Sequence, residues 1–304
     1  MILVRSGLYI GGLDAVSEPR ALWEAGVSHV LSVDSRPPPP LPGVARTEFV
    51  EAPDEAGADL LSRLDRCVRF VQEAKASEAV LVHCHAGVSR SAAVVTAFIM
   101  KTDQVPFEEA YIKLQAVKPD IKINEEFVNQ LKLYEAMGCE VDITSAIYKQ
   151  YRLQKVTEKY PELRNLPREV FALDPTRLGK TNEDLYRCRK CSRSLFRGSS
   201  VLSHESGNGP TAFAHKRTAQ TAGGIHTNCT SYFIEPVQWM EPALLGVLDG
   251  QLLCPKCNSK LGSFNWYGER CSCARWVTPA FQIHKNRVDE VKLLHLPSVR
   301  NTNS

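Results

Sequence analysis

One stretch constrains this chain more than any other. Val80-Leu81-Val82 is a short apolar run rich in β-branched residues, the mark of a buried strand. It is followed by His83-Cys84-His85-Ala86-Gly87-Val88-Ser89-Arg90-Ser91, and then by an apolar run of helical character, Ala92 to Met100. A strand that feeds a tight loop opening a helix builds an anion site. The loop N–H groups turn inward and the helix N-terminus carries positive partial charge. A cysteine in that position is expected to be a thiolate and a nucleophile. An arginine six positions later can fork onto two oxygens of a bound phosphate. A buried structural cysteine would need no Gly-x-x-Arg-Ser behind it.

The flanking segments predict an α/β sheet covered by helices on both faces. Leu8 to Gly12, His29 to Val33 and Thr47 to Val50 read as strands. A helix is expected from Asp14 to about Ala25, closed by Gly26. Pro37 to Pro40, with Pro42 and Gly43, reads as a stiff surface loop. An amphipathic helix is expected from Ala58 to about Ala76, and two more near Pro106–Val117 and Asn124–Met137.

The loop His-Cys-x-x-Gly-x-x-Arg-Ser resembles the phosphate loop of the cysteine-based protein phosphatases. Gly7-Leu8-Tyr9-Ile10-Gly11, the acidic residue before the Ala58 helix, and Asn124-x-x-Phe127-x-x-Gln130-Leu131-x-x-Tyr134-Glu135 narrow the resemblance to dual-specificity phosphatases, over roughly residues 5–138. That resemblance implies the dual-specificity phosphatase fold, a central sheet flanked by helices. It also implies a shallow pocket open to phosphoserine and phosphothreonine as well as phosphotyrosine. The roles it implies are Cys84 as nucleophile and Arg90 with the amides of His85, Ala86, Gly87, Val88 and Ser89 as the phosphate cradle. Ser91 would ease departure of the Cys84 sulfur, and Asp54 would be the general acid, thirty residues before the cysteine as the family places it. Glu55 and Asp59 are its rivals. Asp59 also reads as a charge in the first turn of the following helix. His83 is expected to orient the loop, and His85 to face outward. Asn124 reads equally as a buttress of the loop and as a helix N-cap. Cys67 and Cys139 read as a core residue and a helix-end residue.

Charge divides the chain. Residues 1–140 carry a net −6 and residues 141–304 a net +9, an asymmetry that suggests two domains with different partners. The N-terminus, Met1 to Gly7, does not read as a signal peptide. The apolar run after Arg90 is far below membrane-spanning length. The expectation is a soluble, intracellular protein with no membrane partner. Ten cysteines in that setting point to metal or catalysis rather than disulfides.

Seven of the ten lie between 188 and 273. Cys188-x-x-Cys191 and Cys254-Pro255-Lys256-Cys257 are knuckle-type turns that aim two thiolates at one ion, and Cys271-Ser272-Cys273 is a third chelating pair. With Cys229, seven thiolates fall one short of two tetrahedral sites, so a histidine is implied. His204, separated from Cys191 by twelve residues, is the favoured choice, with His215 and His226 as alternatives. Sequence distance favours one site from Cys254, Cys257, Cys271 and Cys273, and the other from Cys188, Cys191, Cys229 and the histidine. The competitor joins the two Cys-x-x-Cys pairs on one ion. Thiolate-rich tetrahedra select zinc and leave no open position, so two structural Zn2+ ions are expected and none for catalysis.

The domain reading is a catalytic domain over 1–140, a basic helical linker over 141–184, a small zinc-stapled β-rich domain over 185–285 and a loose tail over 286–304. Between the knuckles, Tyr232 to Ile234, Val237 to Met240 and Leu244 to Leu248 read as strands or core. Phe264-Asn265-Trp266-Tyr267 reads as core or as a base-stacking surface beside Arg270 and Arg275. The pairing of the two halves resembles the atypical dual-specificity phosphatases with a C-terminal zinc-binding domain, the Yvh type. That resemblance implies phosphoprotein substrates and a role with precursors of the large ribosomal subunit, through protein or rRNA, carried mainly by the zinc domain. It further implies cytoplasmic and nuclear location. The alternative it leaves open is a ribosome-assembly binding factor in which phosphatase activity is dispensable.

Overall fold

The structure is a computed structural model that describes residues 1–179, 183–204 and 229–292. The chain divides into two compact units, Met1–Tyr148 and Lys149–Ser304.

In the first unit, β1 (Ile2–Arg5), β2 (Leu8–Gly11), β3 (Val27–Asp34), β4 (Arg46–Glu51) and β5 (Ala79–His83) form a five-stranded sheet in the order β1-β2-β5-β3-β4. β1 runs antiparallel to β2; the other pairings are parallel. Two short helices, α1 (Leu13–Ser17) and α2 (Pro19–Glu24), pack Ala15, Val16 and Leu22 on Val30 and Leu81. Strand alternation turns Leu31, Val80 and Val82 to the opposite face. There α3 (Leu64–Ser77) and α4 (Arg90–Asp103) cover the sheet, with α5 (Phe107–Val117) and α6 (Glu125–Ala136) packed around α4. Eleven consecutive residues of α4, Arg90 to Met100, are buried, which explains why that segment is apolar all round rather than striped.

Three departures from the sequence reading have simple causes. The single helix expected from Asp14 to Ala25 is two helices, because Pro19 has no N–H to donate and forces Glu18 out of helical geometry. The helix expected from Ala58 begins in earnest at Leu64, after a 3-10 turn over Leu61–Arg63. β1 was not expected; it adds antiparallel to the edge of β2.

The side chain of Gln130 ties α6 to the segment before α3. Its Oε1 accepts from the N–H groups of Leu60 (2.9 Å) and Leu61 (2.8 Å), and its Nε2 donates to the carbonyl of Ala58 (2.7 Å). It is 1% exposed.

The second unit is entered through α7 (Ala146–Lys159), a basic helix within the stretch read as a helical linker. It buries Tyr151, Leu153 and Val156, and Lys149 Nζ pairs with Glu235 at 2.8 Å. A three-stranded sheet has the order β14-β6-β7, with β6 Leu185–Cys188, β7 Ser194–Arg197 and β14 Val288–Val291. A four-stranded sheet has the order β8-β13-β10-β9, with β8 Ser231–Phe233, β9 Asp249–Leu253, β10 Lys260–Asn265 and β13 Ala280–His284. A ribbon of β11 (Glu269–Arg270) and β12 (Trp276–Val277) and a one-turn helix, α8 (Glu241–Leu244), complete the described strands and α-helices. The loose tail expected from residue 286 is corrected in its first part, since Val288–Val291 pairs antiparallel with β6 and covers that edge. The aromatic run divides. Phe264 and Trp266 are core, Trp266 standing edge-on to Phe281 with ring centroids 4.9 Å apart, while Tyr267 is exposed.

Replacing Gln130 by Leu keeps the volume but orphans three buried backbone groups. Chemical denaturation of the full chain is expected to show the first unit destabilised by about 2–5 kcal/mol, read from its transition midpoint. A loss below about 1 kcal/mol would mean that water replaces the amide.

Candidate functional sites

The loop of residues 84–89 sits at the carboxyl ends of the parallel strands, where ligands of open α/β sheets bind. Its path is set by backbone approach. Gly87 has φ +74°, and a Cβ there would stand 2.6 Å from the carbonyl carbon of Gly11 and 2.7 Å from the nitrogen of Gly12. Only glycine meets both demands. The Leu13 N–H donates to the His85 carbonyl at 2.9 Å and fixes the other side of the turn.

Cys84 is 1% exposed at the base of this loop. Its Sγ accepts the Gly87 N–H at 3.2 Å and lies 3.2 Å from Ser91 Oγ. The Gly87 N–H is thus aimed at the sulfur from inside the loop. α4 opens at Arg90, and no acidic residue stands in its first turn, so the positive end of the helix faces the loop unopposed. His83, on β5 just before the nucleophile candidate, shares a 2.6 Å hydrogen bond between its Nε2 and Ser32 Oγ. Burial holds its imidazole below the usual histidine range, against an opposing backbone interaction at Cys84. A neutral ring that positions the loop fits this setting. His85 is exposed.

Arg90 Nη1 donates to Asp34 Oδ1 at 2.7 Å and to the Ala52 carbonyl at 3.3 Å. Asp54 lies on the loop that follows β4. Its Oδ1 accepts from Ser89 Oγ at 2.9 Å and from Asn124 Nδ2, while its Oδ2 stands 3.8 Å from Arg90 Nε. Asn124 also caps α6, its Oδ1 accepting the Phe127 N–H at 2.8 Å, and its backbone N–H donates to Ser89 Oγ at 3.2 Å. Of the rivals, Asp59 is engaged by Ser62, whose N–H and hydroxyl donate to it at 3.0 and 2.6 Å, and Glu55 is exposed. A cleft of about 490 Å3 opens beside the loop, lined by Leu13, Asp34, Arg36, Pro38, His85 and Arg90 among others. The sequence reading missed Asp34 and Ser32. The available signal was an acid closing a buried parallel strand, at the end of the sheet where Cys84 also lies. Cys67 is fully buried on α3 with its thiol pushed up to about 12 by desolvation, and Cys139 is buried and raised for the same reason. Both are set for packing rather than nucleophilic chemistry.

In the second unit the thiols gather in two groups. Cys188, Cys191, Cys254 and Cys257 form one; His204, Cys229, Cys271 and Cys273 form the other, the ligand atoms of each lying within 4.8 Å of one another. The pairing by sequence distance is thus corrected: the crossed arrangement is the one found, because β6 and β9 deliver the two Cys-x-x-Cys turns to the same place. His215 and His226 lie outside the described residues. Each chelating turn ends in a left-handed residue just after its second cysteine: Ser192 at φ +58°, Asn258 at +53° and Ala274 at +68°. In each, the N–H of that residue returns to the carbonyl of the first cysteine, at 2.8, 2.9 and 2.9 Å.

The spacing fits a metal. Sulfurs of Cys188 and Cys257 are 3.7 Å apart, those of Cys191 and Cys254 3.6 Å. His204 Nε2 lies 3.5 Å from Cys229 Sγ and 3.3 Å from Cys273 Sγ. A tetrahedral ion with bonds of ~2.3 Å to sulfur has edges of about 3.7 Å. Burial pushes the thiols of Cys254 and Cys229 up to about 12. A cation at each centre would supply what ionises such thiols.

Comparison with known proteins agrees with the loop and extends beyond it. The family described as "Dual specificity phosphatase, catalytic domain" matches residues 8–137. Human "Dual specificity protein phosphatase 12" is 65% identical over 304 residues, covering 97% of this chain and 89% of the human one. "Tyrosine-protein phosphatase yvh1" of Schizosaccharomyces pombe is 32% identical over 293 residues, covering 96% and 85%. Among solved structures, the Yvh1 phosphatase domain from Chaetomium thermophilum aligns at 25% identity with a TM-score of 0.41, over 45% of this chain and 94% of the other. Both full-length relatives run through the cysteine-rich half as well as the phosphate loop, and the chain accordingly belongs to the dual specificity protein phosphatases.

Proposed function

We propose that this phosphatase works through a phosphocysteine intermediate on Cys84. The observation that carries the reading is the Cys84 sulfur, held by the Gly87 N–H and Ser91 at the floor of an amide-lined loop that Arg90 closes. The thiolate attacks phosphorus in line, a P–S bond forms, and the P–O bond to the leaving group breaks. Asp54, in its acid form, gives its proton to the departing oxygen. Its Oδ1 is occupied by Ser89 and Asn124, which leaves Oδ2 to carry that proton. The loop amides from His85 to Ser89, with Arg90, stabilise the equatorial oxygens. Water then attacks phosphorus, Asp54 takes its proton, the P–S bond breaks, and Ser91 donates to the leaving sulfur. Substrates are phosphoproteins carrying phosphotyrosine or phosphoserine/threonine.

The two clusters of the second unit hold zinc, one through four cysteine thiolates and the other through three thiolates and a histidine. All four positions of each are filled by protein, so the metal is structural and takes no part in hydrolysis. The same unit docks on precursors of the large ribosomal subunit, in cytoplasm and nucleus. Support for that comes from the net +9 of residues 141–304 and from the resemblance to Yvh-type proteins.

Kinetics with phosphopeptides and aryl phosphates test the chemistry. Cys84→Ser is expected to lower turnover by about a thousandfold or more while retaining phosphate binding. Asp54→Ala should slow esters with poor leaving groups by about 10²- to 10³-fold and those with good ones far less. Equal slowing of both would move the acid to another residue.

Native mass spectrometry is expected to find two zinc ions per chain. A chelator strong enough to strip them should unfold the second unit while aryl phosphate turnover persists. Loss of turnover in step with metal would give zinc a part in the chemistry.

Cosedimentation with large-subunit precursors should weaken steeply between two salt concentrations, as counterions are released. It should survive Cys84→Ser and fail with Cys254→Ser. Binding that ignores salt and the zinc-site variant would leave phosphatase action as the sole supported function.

A further inference from the structure

We infer that Asp34 is a positioning residue for hydrolysis, the group that holds the Arg90 guanidinium so that its phosphate-binding edge faces the loop. The inference rests on the reading of Arg90 as the phosphate-binding residue. Its own basis is a set of contacts at the carboxyl end of β3, outside the loop motif.

The guanidinium is nearly sealed, with 7% of the Arg90 side chain exposed and 15% of the Asp34 side chain. Two acceptors take one nitrogen. Nη1 donates to Asp34 Oδ1 at 2.7 Å and to the Ala52 carbonyl at 3.3 Å. On the other edge, Nε is buried and makes no hydrogen bond among the described residues. Asp54 Oδ2, 3.8 Å from Nε, is beyond hydrogen-bond reach. A guanidinium binds an oxyanion through two parallel N–H groups, and the Nε–Nη2 edge offers such a pair. A buried donor with no partner is a standing penalty that an oxyanion in the loop would relieve. Asp34 therefore takes the nitrogen that the phosphate does not need and leaves the edge that it does.

The carboxylate is itself fixed. Asp34 Oδ1 accepts the Ser35 N–H at 2.7 Å, and the Asp34 carbonyl accepts the Ala52 N–H at 3.0 Å. Ala52 leads directly into the segment that bears Asp54. One strand end thus clamps the phosphate-binding arginine and anchors the start of the acid loop. Two positions earlier on the same strand, Ser32 holds His83. β3 supplies support to the site from one side without placing a group on phosphorus.

A carboxylate this close to the anion site also repels a phosphate dianion, so its charge and its hydrogen bond act in opposite directions. The asparagine variant separates them. Asp34→Asn keeps an oxygen that can accept from Nη1 and removes the charge; Asp34→Ala removes both.

The test is kcat and KM on an aryl phosphate for Asp34→Ala, Asp34→Asn, Arg90→Ala and the double variant Asp34→Ala with Arg90→Ala, in the full chain, with melting temperature measured for each. Asp34→Ala is expected to lower kcat/KM about 10- to 100-fold, the range for a misoriented reacting group. Asp34→Asn should return to within about threefold of the parent. In the Arg90→Ala background, Asp34→Ala should cost less than about twofold more, because the residue acts through that arginine. A residue with a merely structural role would give losses that multiply in the double variant. Asp34→Ala within twofold of the parent, or fully multiplicative losses, would overturn the inference while leaving Arg90 in its role. Full activity of Arg90→Ala would overturn both. Should Asp34→Ala fail to fold, Asp34→Asn decides alone: a loss as large as that of Arg90→Ala would assign the effect to charge and overturn the inference.

Discussion

The catalytic unit depends on one close approach of backbone to backbone. Gly87 turns against Gly11 and Gly12 at a distance that excludes any side chain. That contact curls the loop after β5 tightly enough for the Gly87 N–H to turn back onto the Cys84 sulfur. It also seats the loop on the end of β2, where the Cys84 N–H reaches the Gly11 carbonyl at 3.4 Å. Loop curvature, sulfur environment and the start of α4 are therefore one geometric fact. The buried, apolar α4 follows from it, since a helix that begins at the carboxyl end of the central strand has to run back across the sheet it covers.

Around that loop the protein concentrates charge where burial is unfavourable. Arg90 is nearly enclosed, with Asp34 bonded to it and Asp54 beside it. Enclosed ion pairs contribute little net stability, because desolvation offsets attraction. What such an arrangement provides is direction. Asp54 is turned by Ser89 and Asn124, His83 by Ser32, and Arg90 by Asp34. Each of the three side chains is aimed by a hydrogen bond from a neighbouring side chain.

Legibility in the sequence followed the reach of each constraint. Cys84 to Ser91 could be read because all of its geometry is local. The helices and strands of the sheet could be read from periodicity, with errors where a local term intervened, as Pro19 does in splitting α1 from α2. Asp34 is legible only through the strand order, since its partner lies 56 residues away and the parallel pairing of β3 with β5 brings them together. The cysteine pairing failed for the same reason. Proximity in sequence favours Cys254 with Cys271, but sheet topology joins Cys254 to Cys188.

That crossed pairing has a consequence for how the second unit holds together. In chain order the ligands alternate between the two centres: Cys188 and Cys191, then His204 and Cys229, then Cys254 and Cys257, then Cys271 and Cys273. No contiguous segment completes either centre without enclosing part of the other. Two tandem zinc ribbons, which the sequence-distance pairing implies, could fold and fail separately. Interleaved centres holding metal, as proposed, would not, because each spans chain that carries part of the other. β14 belongs to the same closure, since its Val288 pairs with Cys188 itself and covers the edge of β6. With a metal ion at each centre, as proposed, interleaving would make the two staples a single one.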